Sequence, residues 1–145
     1  MDFDKIADAY KNICESINLV IAEGVGGVRV PLTIEFDLLD LAIEFDLPIV
    51  IIASLNREMM NHLLMTIDCI RAAKLKNAGI VINNYDATTA TTTKDAAEQT
   101  TNQCSGVNII STVPYDKAVD IAGMNLGEFI LGSLTNCDWA KLAKR

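Results

Sequence analysis

A carboxylate followed by glycines is the part of this sequence that most strongly suggests chemistry. The apolar run 19–22 leads into Glu23, and three glycines follow it closely, at Gly24, Gly26 and Gly27. A carboxylate at the end of a buried strand can hold Mg²⁺, which takes one or two carboxylates together with waters and phosphate oxygens. Glycines allow main-chain N–H groups to face an anion at close range. The stretch therefore predicts either a site for metal-bound phosphate or a glycine-rich turn beside a solvated acid.

Short apolar strands that alternate with amphipathic helices must position these residues. The apolar periodicity predicts parallel strands at about residues 17–22, 48–53, 78–83 and 107–113. It predicts helices at residues 2–16, 36–46, 57–74 and 93–103 and within 117–134, the third of them capped by Asn56. Strands that alternate with helices form right-handed crossovers and one parallel sheet. We therefore expect an α/β fold with four parallel strands covered by helices.

Polar or turn residues follow three of these predicted strands. In open parallel sheets, ligands bind in the crevice at the carboxyl ends of the strands. We expect one crevice to be lined by the segments Glu23-Gly24, Asn83-Asn84 and Pro114-Tyr115-Asp116. The plainer alternative is that asparagine only shapes a turn and proline only ends a strand.

Composition and charge exclude several classes of function. The longest uninterrupted apolar run, 47–53, is far shorter than the ~20 residues that cross a bilayer. The acidic, amphipathic N-terminal segment does not resemble a basic leader with an apolar core. The net charge is -7, and no cluster of Lys and Arg exceeds two residues, so nucleic acid and anionic membrane surfaces would be repelled. We expect no nucleic-acid partner and no membrane partner.

The cysteines are scattered along the chain rather than paired in metal-binding motifs. They lie at Cys14, Cys69, Cys104 and Cys137, and the single histidine is His62. This spacing argues against a zinc site and favours a reduced, cytoplasmic protein over a disulfide-bonded one.

Several segments, taken in order, resemble dethiobiotin synthetases. They are VIAEGVGGVRVPL, then DLA and LPIVIIA, then MNHLLMTIDCIRAAKLKNAGIVINNYD, then VPYD, and they extend from about Asn18 to Tyr115. The resemblance implies a P-loop NTPase-like, Rossmann-like fold with a three-layer parallel sheet. Residues 1–145 would form the C-terminal part of this nucleotide-binding domain, an incomplete sheet that lacks the P-loop strand.

The same resemblance implies an ATP- and Mg²⁺-dependent cyclo-ligase in biotin biosynthesis. In that family, CO₂ adds to 7,8-diaminononanoate as a carbamate, the carbamate takes the γ-phosphate of ATP, and the second amine displaces phosphate to close the ureido ring. The ligands implied for this chain are thus ATP and a diamino-acid substrate.

The resemblance also implies roles for single residues. Glu23 would hold Mg²⁺ and the nucleotide, Asn83 would read the edge of adenine, and Asn61 would touch substrate across a dimer interface. The implied nucleotide-binding residues are Glu23, Gly24, Val25, Gly26, Asn83, Asn84, Pro114, Tyr115 and Asp116, with Gly26 also near the substrate. No catalytic residue is implied, and Asn61 and His62 are equally typical of exposed positions on a helix.

Two features depart from the family pattern. Glu58 stands near a position where the family has a glycine, and its charge would repel an acidic substrate unless it only favours the helix N-terminus. The P-loop pattern GxxxxGK[ST] does not occur in the 145 residues, and the related stretches EGVGG and NLGEF contain no lysine. Only 22 residues precede Glu23, so the family's upstream lysine, serine and second acidic metal ligand have no counterpart.

These departures lead to expectations about activity and assembly. We expect the isolated chain to be inactive and to associate with a P-loop-containing partner chain or with a second copy. Two alternatives stay open, an inactive scaffold or regulatory half-domain and a relative of cobyric-acid synthases, which share a similar VIN segment. The GGVRVPL and MNHLLMT segments favour dethiobiotin synthetase over the cobyric-acid alternative.

Overall fold

A computed structural model describes residues 2–24, 26–54, 57–86, 94–120, 122–135 and 137–142. The elements are, in chain order, α1 (Phe3–Ser16), α2 (Leu38–Phe45), β1 (Ile49–Ser54), α3 (Arg57–Ala72), β2 (Asn77–Tyr85), α4 (Lys94–Ser105), β3 (Ile109–Pro114), α5 (Glu128–Thr135) and α6 (Trp139–Leu142). The prediction of an α/β fold is confirmed, and each predicted helical segment contains a helix. The proposed cap Asn56 and the threonine-rich run 88–93 lie outside the described residues.

In the described part of the chain, the sheet has three parallel strands in the order β1-β2-β3. The central strand is apolar on both faces, because Ile80, Val81 and Ile82 are 0%, 3% and 0% exposed. A parallel strand that is covered on both sides requires such an uninterrupted apolar run. This is why the sequence pattern located β2 correctly.

Helices cover both faces of the sheet. Consecutive side chains of a strand point to opposite faces. On β3, the Ser111 hydroxyl donates to the Ser133 carbonyl in α5 at 2.8 Å, whereas the neighbouring Thr112 hydroxyl donates to the Glu98 carboxylate in α4. The helices α4 and α5 therefore lie on opposite faces, which gives the three layers that the resemblance implied.

The core lies between α3 and the sheet. Its fully buried members are Leu63, Ile67, Ile80 and Ile82, and Ile51 and Ala53 of β1 pack against them. On α3, Leu63, Ile67 and Ile70 are 2%, 0% and 0% exposed, a stripe with the three- to four-residue spacing of one helix face. Each such side chain contributes about 1.5–3 kcal/mol on burial.

The helices α1 and α2 pack on each other through aromatic rings. The rings of Tyr10 and Phe45 stack with centroids 3.9 Å apart, and those of Phe3 and Phe36 with centroids 4.4 Å apart. At the N-terminus of α2, the Asp37 carboxylate accepts from helix amides, and Asp40 completes a reciprocal capping box. The first turn of α2 is thus fixed in position, and the Leu38 amide in that turn also binds the Val30 carbonyl of the preceding loop.

The predicted strand at residues 17–22 is wrong. This segment has no strand in the structure, and Leu19 and Ile21 are 53% and 85% exposed. Within the described part of the chain, the backbone of residues 18–24 makes no hydrogen bond. A β-prone sequence forms a strand only when a neighbouring strand pairs with its backbone, and no described strand does so here.

The sheet also has an open side at β1. Among the described residues, β1 pairs only with β2, so its outer edge is unpaired. Ile52 points to the face opposite Ile51 and Ala53, and it is 61% exposed. Among the described residues β3 is also an edge strand, but three of its residues are buried and none of β1 is, so β1 is the less covered of the two edges.

The four cysteines are free thiols. Burial, reinforced by the neighbouring Asp138 carboxylate, raises the pKa of the Cys137 thiol and so disfavours its nucleophilic thiolate form. None of the helices formed by the described residues combines the length and apolar character needed to cross a bilayer.

Candidate functional site

The carboxyl ends of the strands bring together two of the predicted site segments. Ser54 at the end of β1 is in register with Asn83, and Tyr85 at the end of β2 is in register with Pro114. The Tyr115 amide then donates to the Tyr85 carbonyl at 2.8 Å. Asn83 and the segment that begins at Pro114 therefore occupy the same edge of the sheet.

The predicted ends of β2 and β3 need a correction. Pro114 is the last residue of β3 rather than the first residue after it. Asn83 and Asn84 lie inside the strand rather than after it, because pairing with β3 extends β2 to Tyr85. The side chain of Asn84 lies outside the described residues. Asn83 is exposed, and its amide has no hydrogen-bond partner among the described residues. A carboxamide in this state can offer one donor and one acceptor to the edge of a nucleobase.

The segment after β3 forms a loop that closes on itself. The Asp116 carboxylate accepts from the Ala118 amide at 2.8 Å, and Gly127, at φ +71°, lies so close to this carboxylate that a Cβ would collide with it. Asp120 and Asn125 exchange backbone hydrogen bonds of 2.8 and 2.9 Å across the same loop. The carboxylate of Asp116 therefore shapes the loop.

Tyr115 differs from Asp116 in its surroundings. Tyr115 is 49% exposed at the edge that Asn83 occupies. An exposed aromatic face can stack on a planar base, in an interaction that all nucleobases permit. The exposed Asn83 amide and the exposed Tyr115 ring thus both lie at this edge, and their role in binding a base stays a prediction.

Packing and backbone geometry explain two of the glycines after Glu23. A Cβ on Gly24 would lie 3.1 Å from Leu38 Cδ2, and Gly26 has φ +89°, in the left-handed region that favours glycine. Val25 lies outside the described residues. Glu23 itself is exposed, with no hydrogen bond or ion pair to any described residue.

The structure does not join Glu23 to the Asn83–Tyr115 edge. In the described ranges, no hydrogen bond or strand pairing connects the two regions. The reason is the missing strand, since residues 17–22 would have to pair in the sheet to carry Glu23 to its carboxyl edge. Their common crevice stays a prediction.

The start of α3 lies at the same edge as Asn83. The helix begins at Arg57, shortly after β1 ends at Ser54. Asn61 and His62 follow within two turns, and both are exposed. The side chain of Glu58 lies outside the described residues, so its effect on an acidic substrate stays a hypothesis. Asn61 is placed where a ligand at the carboxyl edge, or a second subunit, could reach it.

Glu23 fits a magnesium site of the open kind. No group of three His, Cys, Asp or Glu side chains in the described ranges could form a metal cage. Mg²⁺ retains several waters and is commonly held by one or two carboxylates plus substrate phosphates. An exposed, unpaired carboxylate such as Glu23 suits that mode.

A separate surface recess, lined by Phe3, Asp4 and residues 33–36, contains none of the predicted site residues.

Sequence reasoning missed Ser54. It is the last residue of β1, it is exposed, and the strand register sets it beside Asn83. The available signal was a hydroxyl residue that directly ends the β-branched run IVIIA. Its hydroxyl is a third polar group at the carboxyl edge.

Comparisons with known proteins agree with the resemblance. A family model described as an AAA domain matches residues 1–122. The ATP-dependent dethiobiotin synthetase BioD of Janthinobacterium sp. (strain Marseille) is 41% identical over 87 residues, which are 60% of this chain and 37% of that protein. The chain thus spans well under half the length of this curated relative, and the predicted similarity to dethiobiotin synthetases is confirmed.

Proposed function

Because this chain belongs to the AAA domain family, we propose that it supplies part of the nucleotide and substrate site of an ATP-dependent dethiobiotin synthetase. The observation that carries the proposal is its sequence identity with the Janthinobacterium enzyme. The register that sets Asn83 beside Ser54 and Tyr85 beside Pro114 supports it. The reaction would be the ATP-driven closure of a cyclic urea on 7,8-diaminononanoate and CO₂.

In this proposal, the carboxyl edge binds the nucleoside. The Asn83 amide hydrogen-bonds the base edge, the Tyr115 ring covers the base, and Asp116 keeps the following loop in shape. ATP supplies the phosphoryl group that turns a carbamate oxygen into a leaving group. Glu23 holds the magnesium that accompanies the phosphates, and the amides around Gly24 and Gly26 face the phosphate oxygens.

The proposal includes a second polypeptide. The 145 residues contain no GxxxxGK[ST] motif, which supplies phosphate-binding amides, a lysine and a metal-binding hydroxyl in P-loop enzymes. The unpaired edge of β1 and the exposed segment 17–22 support a site for an added strand. A chain with a P-loop, or a second copy of this chain, would cover them. The free thiols support a reducing, cytoplasmic setting.

Substitution of Asn83 tests the nucleotide site. Asn83→Ala removes the proposed donor and acceptor to the base, and each neutral hydrogen bond is worth about 0.5–1.5 kcal/mol, so we expect roughly tenfold weaker ATP binding. The measurement is calorimetric titration with a Mg²⁺ complex of a non-hydrolysable ATP analogue. Asn12→Ala, at an exposed asparagine on α1, is the matched control and should bind like the wild type.

The outcome also separates the alternatives. If the wild type binds the analogue and Asn83→Ala binds it equally well, the base site is elsewhere and the proposal is wrong. If the wild type binds no nucleotide, the alternative of a scaffold or regulatory half-domain is favoured, in line with the self-closed carboxylate of Asp116. A cobyric-acid type of reaction has no comparable support.

A further inference from the structure

Arg29 is a cation at the end of the glycine loop, and neither the predicted site nor the proposed function uses it. Its Nε lies 2.8 Å from Asp37 Oδ2, with 67% of the Arg29 side chain and 11% of the Asp37 side chain exposed. Among the described residues, Asp37 is the only partner of Arg29. The ion pair therefore holds the guanidinium through Nε, while the Arg29 side chain as a whole stays largely exposed.

The partner leaves much of the guanidinium free to bind another group. Asp37 Oδ1 is committed to the N-terminus of α2, where it accepts from the amides of Leu39 at 2.8 Å and Asp40 at 3.1 Å. Only Oδ2 faces Arg29, whereas a guanidinium carries five N–H donors. The capping amides and the helix N-terminus also share the negative charge of Asp37, so the carboxylate does not cancel the charge of Arg29 completely.

The glycine loop and Arg29 are anchored to the same place. Gly24 packs against Leu38, in the first turn of α2, and Arg29 pairs with Asp37, which caps that turn. The Leu38 amide donates to the Val30 carbonyl at 3.1 Å, and a 3.0 Å bond from the Val30 amide to the Gly27 carbonyl closes a four-residue turn. Gly24 and the turn from Gly27 to Val30 thus both lie against the start of α2.

We propose that Arg29, oriented by Asp37, binds a phosphate oxyanion beside Gly26 and Gly27. No lysine or arginine stands between Lys11 and Arg29, so Arg29 is the cation nearest in sequence to these glycines. Arginine is suited to this position because its planar fork donates two parallel hydrogen bonds to an oxyanion. Nearby Glu23 opposes an anion unless a magnesium ion accompanies it, which favours a polyphosphate over a bare carboxylate.

In the proposed function, Arg29 would bind the phosphate groups of ATP. The inference rests on that function only for the identity of the molecule that carries the phosphate. The probe is therefore magnesium tripolyphosphate, which has no base. Calorimetric titration of the full chain at low salt compares wild type with Arg29→Gln. Loss of a charge-assisted pair of bonds should weaken binding roughly tenfold or more.

The controls separate charge from position. Lys11→Gln removes a cation of similar exposure, 63%, that is paired with Glu44 near the C-terminal end of α2, the opposite end of the helix from Asp37. It gives the same net charge as Arg29→Gln and should change tripolyphosphate binding less than twofold. Arg29→Lys keeps the charge but loses the fork, so its affinity should lie between those of wild type and Arg29→Gln. Circular dichroism shows whether each variant is folded. If Arg29→Gln unfolds, Arg29→Lys serves as the variant for comparison with the wild type.

Three results would overturn the assignment. The first is no binding of tripolyphosphate by the wild type, and the second is equal weakening by Arg29→Gln and Lys11→Gln. The third is a loss in Arg29→Gln of binding to nonanoate, a base-free carboxylate, with tripolyphosphate binding intact, which would make the bound group a carboxylate. A different result would show that the proposed base site at Asn83 is wrong. The wild type would then bind ATP and tripolyphosphate with equal affinity, and Asn83→Ala would change neither affinity. Arg29→Gln would still weaken the binding of tripolyphosphate.

Discussion

The purified 145-residue chain should release no phosphate from ATP above a buffer control, even with 7,8-diaminononanoate, bicarbonate and magnesium present. One well-placed stabilising donor is worth on the order of 10²–10³ in rate. The sequence lacks the lysine, hydroxyl and amides of a P-loop, and Arg29 can replace at most the charge of the lysine. The combined loss places turnover beyond detection by a coupled phosphate assay.

The Janthinobacterium enzyme under the same conditions is the positive control. Phosphate release by the single chain well above the buffer control would contradict this prediction. It would also mean that residues other than a P-loop perform phosphoryl transfer here. Turnover that returns only after addition of a polypeptide with a GxxxxGK[ST] strand would instead support the proposed two-chain arrangement.

Truncation of Ile67 should cause a large loss in the free energy of unfolding. Ile67 is 0% exposed and belongs to the core cluster between α3 and β2. Ile67→Ala removes buried methyl groups and leaves a cavity, which typically costs about 2–5 kcal/mol. The free energy of unfolding of a whole domain is only about 5–15 kcal/mol. Urea denaturation followed by circular dichroism should thus show a much lower midpoint.

Met65→Ala provides the control on the same helix. Met65 is 51% exposed, so its loss should shift the free energy of unfolding by less than about 1 kcal/mol. Similar losses in the two variants would indicate that α3 does not pack through the Leu63–Ile67 stripe. That result would contradict the described core.

The sequence predicted those elements that carry their own periodic or apolar pattern and also find partners in the fold. The stripe on α3 repeats every three to four residues, and β2 is an uninterrupted apolar run, so each pattern indicates its own structure. Residues 17–22 have the same composition as a buried strand, but a strand also needs a paired neighbour. Composition describes the segment alone and cannot supply that neighbour, which is why the fourth strand was predicted and is not formed.

The candidate site was predicted only in part for a related reason. Asn83 and Pro114 follow apolar runs, and the strand register brings them to one edge as expected. Ser54 was missed because β1 extends one residue beyond its predicted end. The pair of Arg29 and Asp37 lies across a loop without periodicity, so no pattern in the sequence indicates that these two residues meet.

The unpaired segment at residues 18–24 has a consequence for the lifetime of the protein. Proteases need an accessible backbone free of hydrogen bonds, and this segment offers one without any unfolding of the helices or the sheet. Limited digestion with a protease of broad specificity should therefore cut first within residues 18–24, whereas a first cut within β2 would contradict this. In the proposed two-chain arrangement, a bound strand would remove the cleavage site, and the amount of this protein in a cell would follow the supply of the second chain.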